Sequence, residues 1–153
     1  MIQKLFAIIA FVFLMASCSI GPEPIVYGHD GCAYCEMTIM DQRYGTELVT
    51  SKGKIFKFDS VECLVKYLKD GEVDQQNIKL VLLTPFNHPE TLEDANSSYI
   101  LHSQNMPSPM GMFLTAFKDE ATAKKIQQEN GGTIYTWQEL LDKFENLIGV
   151  IIC

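Results

Sequence analysis

The chain has 153 residues, of which 12 are basic and 19 acidic, and its formal net charge is −7 at pH 7. An acidic surface without basic clusters repels phosphate backbones, so this composition argues against a nucleic-acid partner. Without an N-terminal targeting segment, about 130 residues remain, which is enough for one domain with a real core.

The N-terminus has the pattern of a bacterial lipoprotein signal. Lys4 precedes an apolar run over residues 5–15, and Ala16-Ser17 stands directly before Cys18. The run is short for a membrane span, which needs about 20 apolar residues, and small residues before a cysteine are typical of cleavage and lipidation. We therefore predict a signal peptide over residues 1–17 and a lipid on Cys18, which would anchor the mature protein to a membrane on its extracytoplasmic, periplasmic side.

The remaining sequence divides into a tether and one folded domain. Residues 18–26 contain a glycine and two prolines and predict a flexible tether, and the domain is expected over residues 27–153. Polar residues without periodicity at 86–98 predict a linker between two halves, at about 27–85 and 97–137, with a C-terminal helix after them.

Each half shows the same order of predicted elements. In the first half, alternating or continuous apolar patterns predict strands, and a helix follows Ser60, a residue typical of helix N-caps. The second half repeats strand, strand, helix and strand, and Gly131-Gly132 ends its helix. The fold class is therefore α+β with two similar ββαβ halves. The predicted elements are strands at 46–50, 54–59, 78–83, 99–102, 112–117 and 133–137, and helices at 60–68, 119–130 and 138–147.

Four cysteines besides Cys18 are too few for a disulfide framework in a chain of this length: Cys32, Cys35, Cys63 and Cys153. Export would permit a Cys32–Cys35 disulfide, but a domain of this size does not need one for stability. We interpret these thiols as groups for reactivity or for metal binding.

Cys35 and Met37 are the first candidate metal ligands. Residues two apart on an extended segment point to the same face, so this pair would offer a thiolate and a thioether to one ion. Soft sulfur donors favour Cu(I) over hard divalent ions. The alternative is that Met37 and Met40 only fill the core, which is the usual role of methionine, and the two interpretations are evenly balanced on the residues alone.

A second sulfur cluster lies in the segment Met106-Pro107-Ser108-Pro109-Met110-Gly111-Met112. Two prolines restrain its backbone, and it carries three thioethers within seven residues. If the two halves pack together, this loop could face the Cys35 segment, with Met110 and Met106 as the best candidate ligands. His102 could add an imidazole, although a lone histidine is more often an ordinary surface or core residue.

Two other kinds of site remain open for the cysteine pair. Cys32-Ala33-Tyr34-Cys35 has the spacing of a redox motif, and a thiol-disulfide oxidoreductase using Cys32 and Cys35 is the main alternative function. However, the residues that follow do not predict the helix N-terminus that lowers the thiol pKa in such motifs. Structural zinc would need a second pair of ligands, and the sequence has none at a recognisable spacing.

Taken together, these motifs resemble the NosL family. The resemblance rests on a lipobox and on four segments of the mature chain, at residues 32–39, 58–64, 106–117 and 131–134. It implies a copper-binding lipoprotein that is not an enzyme and that supplies Cu(I) for maturation of nitrous oxide reductase, with that reductase or its assembly complex as partner. It also implies a fold of two ββαβ halves, which organomercurial lyases share.

The resemblance also implies ligands at particular positions. Cys35 and Met37 match the family's Cys-x-Met pair, and Met106 and Met110 match its second methionine motif. Glu36 replaces the glycine that is usual between the first two. A lyase acting on mercury–carbon bonds is suggested by the shared fold alone, which is weak support for a chemistry, and a purely structural lipoprotein would leave the sulfur clusters without a role.

Overall fold

The computed structural model describes residues 20–151, with side chains through residue 147. The predicted signal peptide, its cleavage site, Cys18 and Cys153 lie outside this range. Within it, no helix is both long enough and apolar enough to cross a membrane.

The described residues form seven strands and three α-helices, and the α+β fold class is confirmed. In chain order they are β1 (Thr46–Thr50), β2 (Ile55–Phe58), α1 (Val61–Lys69), β3 (Ile78–Leu83), β4 (Glu93–Asp94), β5 (Tyr99–His102), β6 (Leu114–Phe117), α2 (Glu120–Asn130), β7 (Thr133–Thr136) and α3 (Trp137–Ile151).

The strands form two antiparallel sheets with the same topology. In the first sheet the order is β2-β1-β3-β4, and in the second it is β6-β5-β7. The first strand of each half is central and pairs with both the second strand and the strand after the helix. The structure therefore contains two ββαβ units, as the element pattern predicted.

Several predicted boundaries were wrong by a few residues. A backbone dihedral angle explains one of them, and local hydrogen bonds explain another. The strand expected from Met112 begins at Leu114, because Phe113 has a φ of 62° and cannot be part of an extended strand. The last helix begins at Trp137, where Thr136 donates to and accepts from Glu139 three residues on. The predicted linker contributes β4, which pairs with β3 at the edge of the first sheet.

Helix α1 lies between the two sheets. It packs against β1 and β2 of its own half and against β6 of the other. Its buried side chains join the larger hydrophobic cluster, to which both sheets contribute, for example through Leu48 and Ile100. Helix α2 instead covers the outer face of the second sheet over a small cluster of Leu101, Met106, Phe117 and Ala123. The larger cluster positions the site described next.

Candidate metal site

Three cysteine side chains meet beside the N-terminal turn of α1. The Sγ atoms of Cys32, Cys35 and Cys63 all lie within 4.8 Å of one another, and all three cysteines are free thiols. Cys32 and Cys63 are buried, whereas Cys35 is half-buried. No histidine, aspartate or glutamate of residues 20–147 joins them at that distance. We refer to these three side chains as the thiol cluster.

A tight turn brings Cys32 and Cys35 together. The N–H of Glu36 donates to the carbonyl oxygen of Cys32 (3.0 Å), and the N–H of Cys32 donates to that of Met37 (2.8 Å). Glu36 has a φ of 63°, in the left-handed region that favours glycine. Glycine adopts this conformation without strain, so Glu36 occupies the turn at some cost in strain.

The expected geometry of Cys35 and Met37 was wrong in one respect. The segment is not extended, because the left-handed Glu36 reverses the chain between them. Cys35 turns toward the other thiols, while Met37 lies on the surface with 50% of its area exposed. Alternation along a strand therefore does not apply to this pair.

Helix α1 supplies the third thiol. Ser60 caps the helix and accepts from the N–H of Cys63 (3.5 Å), which fixes Cys63 in the first turn. Sequence reasoning counted Cys63 among the thiols for reactivity or metal binding but did not name it as a ligand. The available signal was the spacing of a buried cysteine three residues after an N-cap, but nothing in the sequence shows that this turn meets the Cys32–Cys35 turn.

The three thiols ionise as a coupled group. The Cys63 thiol, as a hydrogen-bond donor, lowers the pKa of Cys32 to about 5, and backbone N–H groups of Tyr34, Cys35 and Asp59 act in the same direction. The pKa of Cys63 is raised, first because it donates to Cys32 and also because it is buried. Burial raises the pKa of Cys35. These hydrogen bonds therefore favour a single thiolate in the cluster, on Cys32 rather than on Cys35 or Cys63.

These sulfur atoms fit a soft metal ion. Metal–thiolate bonds of about 2.3 Å, as in zinc sites, would place sulfurs around one ion roughly 4 Å apart, and the cluster has that scale. Its single thiolate would neutralise a monovalent cation. Because the ligand set among these residues is sulfur alone, it suits Cu(I) better than ions that prefer oxygen or imidazole.

The cluster is poorly arranged for thiol-disulfide exchange. An attacking thiol must be accessible and ionised. Here the thiol with the lowered pKa, Cys32, is 3% exposed, whereas the more accessible Cys35 has a raised pKa. The alternative oxidoreductase function would require these properties to be exchanged between the two residues.

The other predicted ligands lie in different parts of the fold. Met110 is half-buried and packs against the large hydrophobic cluster that contains Cys32 and Cys63, and Met112 is buried within it. Met106 packs into the small cluster under α2. His102 ends β5, where burial lowers its pKa, and it is not among the residues grouped with the thiols. As ligands, Met37, Met106, Met110 and His102 remain predictions.

Comparison with known proteins agrees with this fold. The crystal structure of the copper chaperone NosL from Shewanella denitrificans superimposes with a TM-score of 0.68 and 21% sequence identity, covering 79% of this chain and 96% of that one. A search of curated proteins found no significant match. The family model for NosL matches residues 26–144, which is most of the described chain. The chain therefore belongs to the NosL family.

Proposed function

We propose that this protein is a Cu(I) carrier whose thiol cluster holds the ion. The observation that carries the proposal is the convergence of Cys32, Cys35 and Cys63 within 4.8 Å. Family membership supports it, since the structurally similar protein from Shewanella denitrificans is described as a copper chaperone. The ion is cargo, so no catalytic base is needed, and the protein acts by binding and release rather than as an enzyme.

The accessibility of the cluster suits release to a partner. Cys35 is half-buried and the neighbouring Met37 is half exposed, so one edge of the site is open while Cys32 and Cys63 are enclosed. An incoming ligand from a client protein can approach at this edge and exchange stepwise. We propose Met37 as the thioether that contacts the ion there during transfer.

The client and location that we propose follow from the family. The client is nitrous oxide reductase or its assembly complex, and the protein is held at the extracytoplasmic face of a membrane by a lipid on Cys18. The apolar run and the small residues before Cys18 support this placement.

Competition titration of the reduced protein against a Cu(I) chelator tests the site. Loss of groups that only support metal ligands typically costs 10–100-fold in affinity, so removal of a ligand, in Cys35→Ala or Cys63→Ala, should cost more than about 100-fold. Cys153→Ala is the matched control, since it removes a thiol to which the proposal assigns no role. Wild-type affinity in both cluster variants would refute the site.

A further inference from the structure

A fully buried glutamate stands next to the thiol cluster. Glu62 is 0% exposed and directly precedes Cys63 in the first turn of α1. Its Oε1 accepts from Ser108 Oγ and from the N–H of Leu114 (3.2 Å), while its Oε2 has no hydrogen-bond partner among residues 20–147. Burying a carboxyl group with one oxygen unpaired is costly, so an apolar side chain here would favour stability.

The partner of Glu62 belongs to the methionine loop, residues 106–112. Ser108 Oγ also accepts from the N–H of Phe113 (2.9 Å), which closes the loop. A second bond, from Tyr44 Oη to the carbonyl oxygen of Pro107 (3.0 Å), ties the loop to the first half. The loop of the second half is therefore fastened to the first half at two adjacent residues.

The two methionines on either side of Ser108 pack against different hydrophobic clusters. Met110, two residues after Ser108, packs against the large hydrophobic cluster that includes Cys32 and Cys63. Met106, two residues before Ser108, packs under α2 in the other cluster. Glu62, which directly precedes Cys63, is hydrogen-bonded to Ser108, which stands two residues before Met110.

We propose that Glu62 is a positioning residue that holds the Met110 thioether at the thiol cluster as a further Cu(I) ligand. The inference rests on the proposed copper-carrying function. Glu62 itself does not bind the ion, because a carboxylate is a hard ligand and its Oε1 is already engaged by Ser108 and Leu114. Its role is to fix the loop from which Met110 extends.

A double-mutant cycle on Cu(I) affinity, in the reduced full-length protein, tests this role. Ser108→Ala should lower the affinity about ten-fold, the lower end of the range for supporting groups, and Met110→Leu should lower it by at least as much because it removes the ligand itself. The double variant should lose no more than the larger single loss, because both changes remove the same ligand. Met112→Leu removes a thioether of the same loop that is not among the predicted ligands, so it is the matched control and should bind like the wild type.

Two substitutions of Glu62 test the hydrogen bond between Ser108 and Glu62 at its acceptor. Glu62→Leu removes the acceptor and should match the loss of Ser108→Ala, whereas Glu62→Gln keeps an acceptor oxygen and should bind nearly as the wild type does. These variants keep the test decisive if Ser108→Ala does not fold.

Several results would overturn the inference: additive losses in the cycle, unchanged affinity in Met110→Leu, or equal losses in Glu62→Gln and Glu62→Leu. Failure of the proposed function gives a different pattern, in which the wild type does not bind Cu(I) or the cysteine variants bind normally. In that case the positioning role of Glu62 fails with it.

Discussion

The two halves share one topology but place their helices differently. By strand register, Thr46 and Phe58 pair in the first half where Tyr99 and Phe117 pair in the second. Helix α1 is buried between the sheets, while of the residues in α2 only Ala123 is buried. Each helix carries an N-capping side chain, but the third helical residue is Cys63 in α1 and Thr122 in α2. The enclosed helix carries a thiol, and the outer one a hydroxyl.

The same helical position therefore has different roles in the two halves. In α1 it carries a thiol of the thiol cluster, and in α2 it carries a residue that supports the helix cap. A thiol on α1 is enclosed by both sheets and by the turn from Cys32 to Cys35, so it can meet other ligands away from water. The same position on α2 faces the surface and needs only a side chain that supports its cap. We propose that the second half contributes to the site through its loop rather than its helix.

The largest expected effect comes from substitution of the two phenylalanines that end β2 and β6 at equivalent positions of the two halves. Phe58 packs in the cluster that contains Cys32 and Cys63, and Phe117 packs in the cluster under α2. Phe58→Ala and Phe117→Ala should each lower the free energy of unfolding by about 3–5 kcal/mol, because each leaves a cavity. Denaturant titration measures this loss.

Copper binding should then distinguish the two variants. Below its unfolding transition, Phe117→Ala should bind Cu(I) as the wild type does, whereas Phe58→Ala should bind more weakly because the packing around two ligands is loosened. Equal Cu(I) affinity in the two variants would mean that packing around Phe58 matters no more for copper binding than packing around Phe117.

A smaller effect is expected from Glu47, which occupies the position of Ile100 in the other half. Glu47 is fully buried, its Oε1 accepts only from the N–H of Glu23 (3.2 Å), and its Oε2 has no partner. Burial raises its pKa above the ordinary value. The folded state therefore favours the protonated form, so stability is fully present below the ordinary pKa and falls as pH rises through the raised one.

Glu47→Gln removes this titration. In the variant, the free energy of unfolding should change less between about pH 4 and neutrality. A buried carboxyl with a raised pKa titrates in roughly this interval. Urea titrations at several pH values provide the measurement. A wild-type profile in the variant would show that burial of Glu47 does not affect stability.

The smallest effect is expected at Glu36. Glycine should relieve the left-handed strain at its φ of 63°, offset in part by greater freedom of the unfolded chain, so Glu36→Gly should gain roughly 0.5–1 kcal/mol. Glu90, also at a φ of 63°, lies outside the thiol cluster and is the matched control. Destabilisation by Glu36→Gly would indicate that the side chain makes a contact that the turn requires.

Much of the fold could be predicted because local patterns determine it. Strands 46–50, 78–83 and 99–102 were predicted at their observed bounds, since alternation, apolar runs and turn residues mark them. The strand expected from Met112 begins two residues later, because Phe113 has a positive φ and donates its N–H to Ser108, which are features of the loop rather than of residue type.

The site was less accessible to sequence reasoning. Cys35 could be singled out from its spacing to Met37, but the contact of Cys32 and Cys35 with Cys63 depends on packing between segments about 30 residues apart in sequence, which no local period encodes. Glu62 was likewise invisible, because a glutamate in the first turn of a helix ordinarily stabilises the helix dipole at the surface.

Copper K-edge X-ray absorption on the reduced protein, loaded with one equivalent of Cu(I), tests the central claim most directly. The thiol cluster predicts coordination by sulfur alone, with at least three sulfur neighbours, and a loss of one sulfur in Cys63→Ala. A first shell dominated by nitrogen or oxygen, or the same sulfur count in Cys63→Ala as in the wild type, would contradict the assignment of the site.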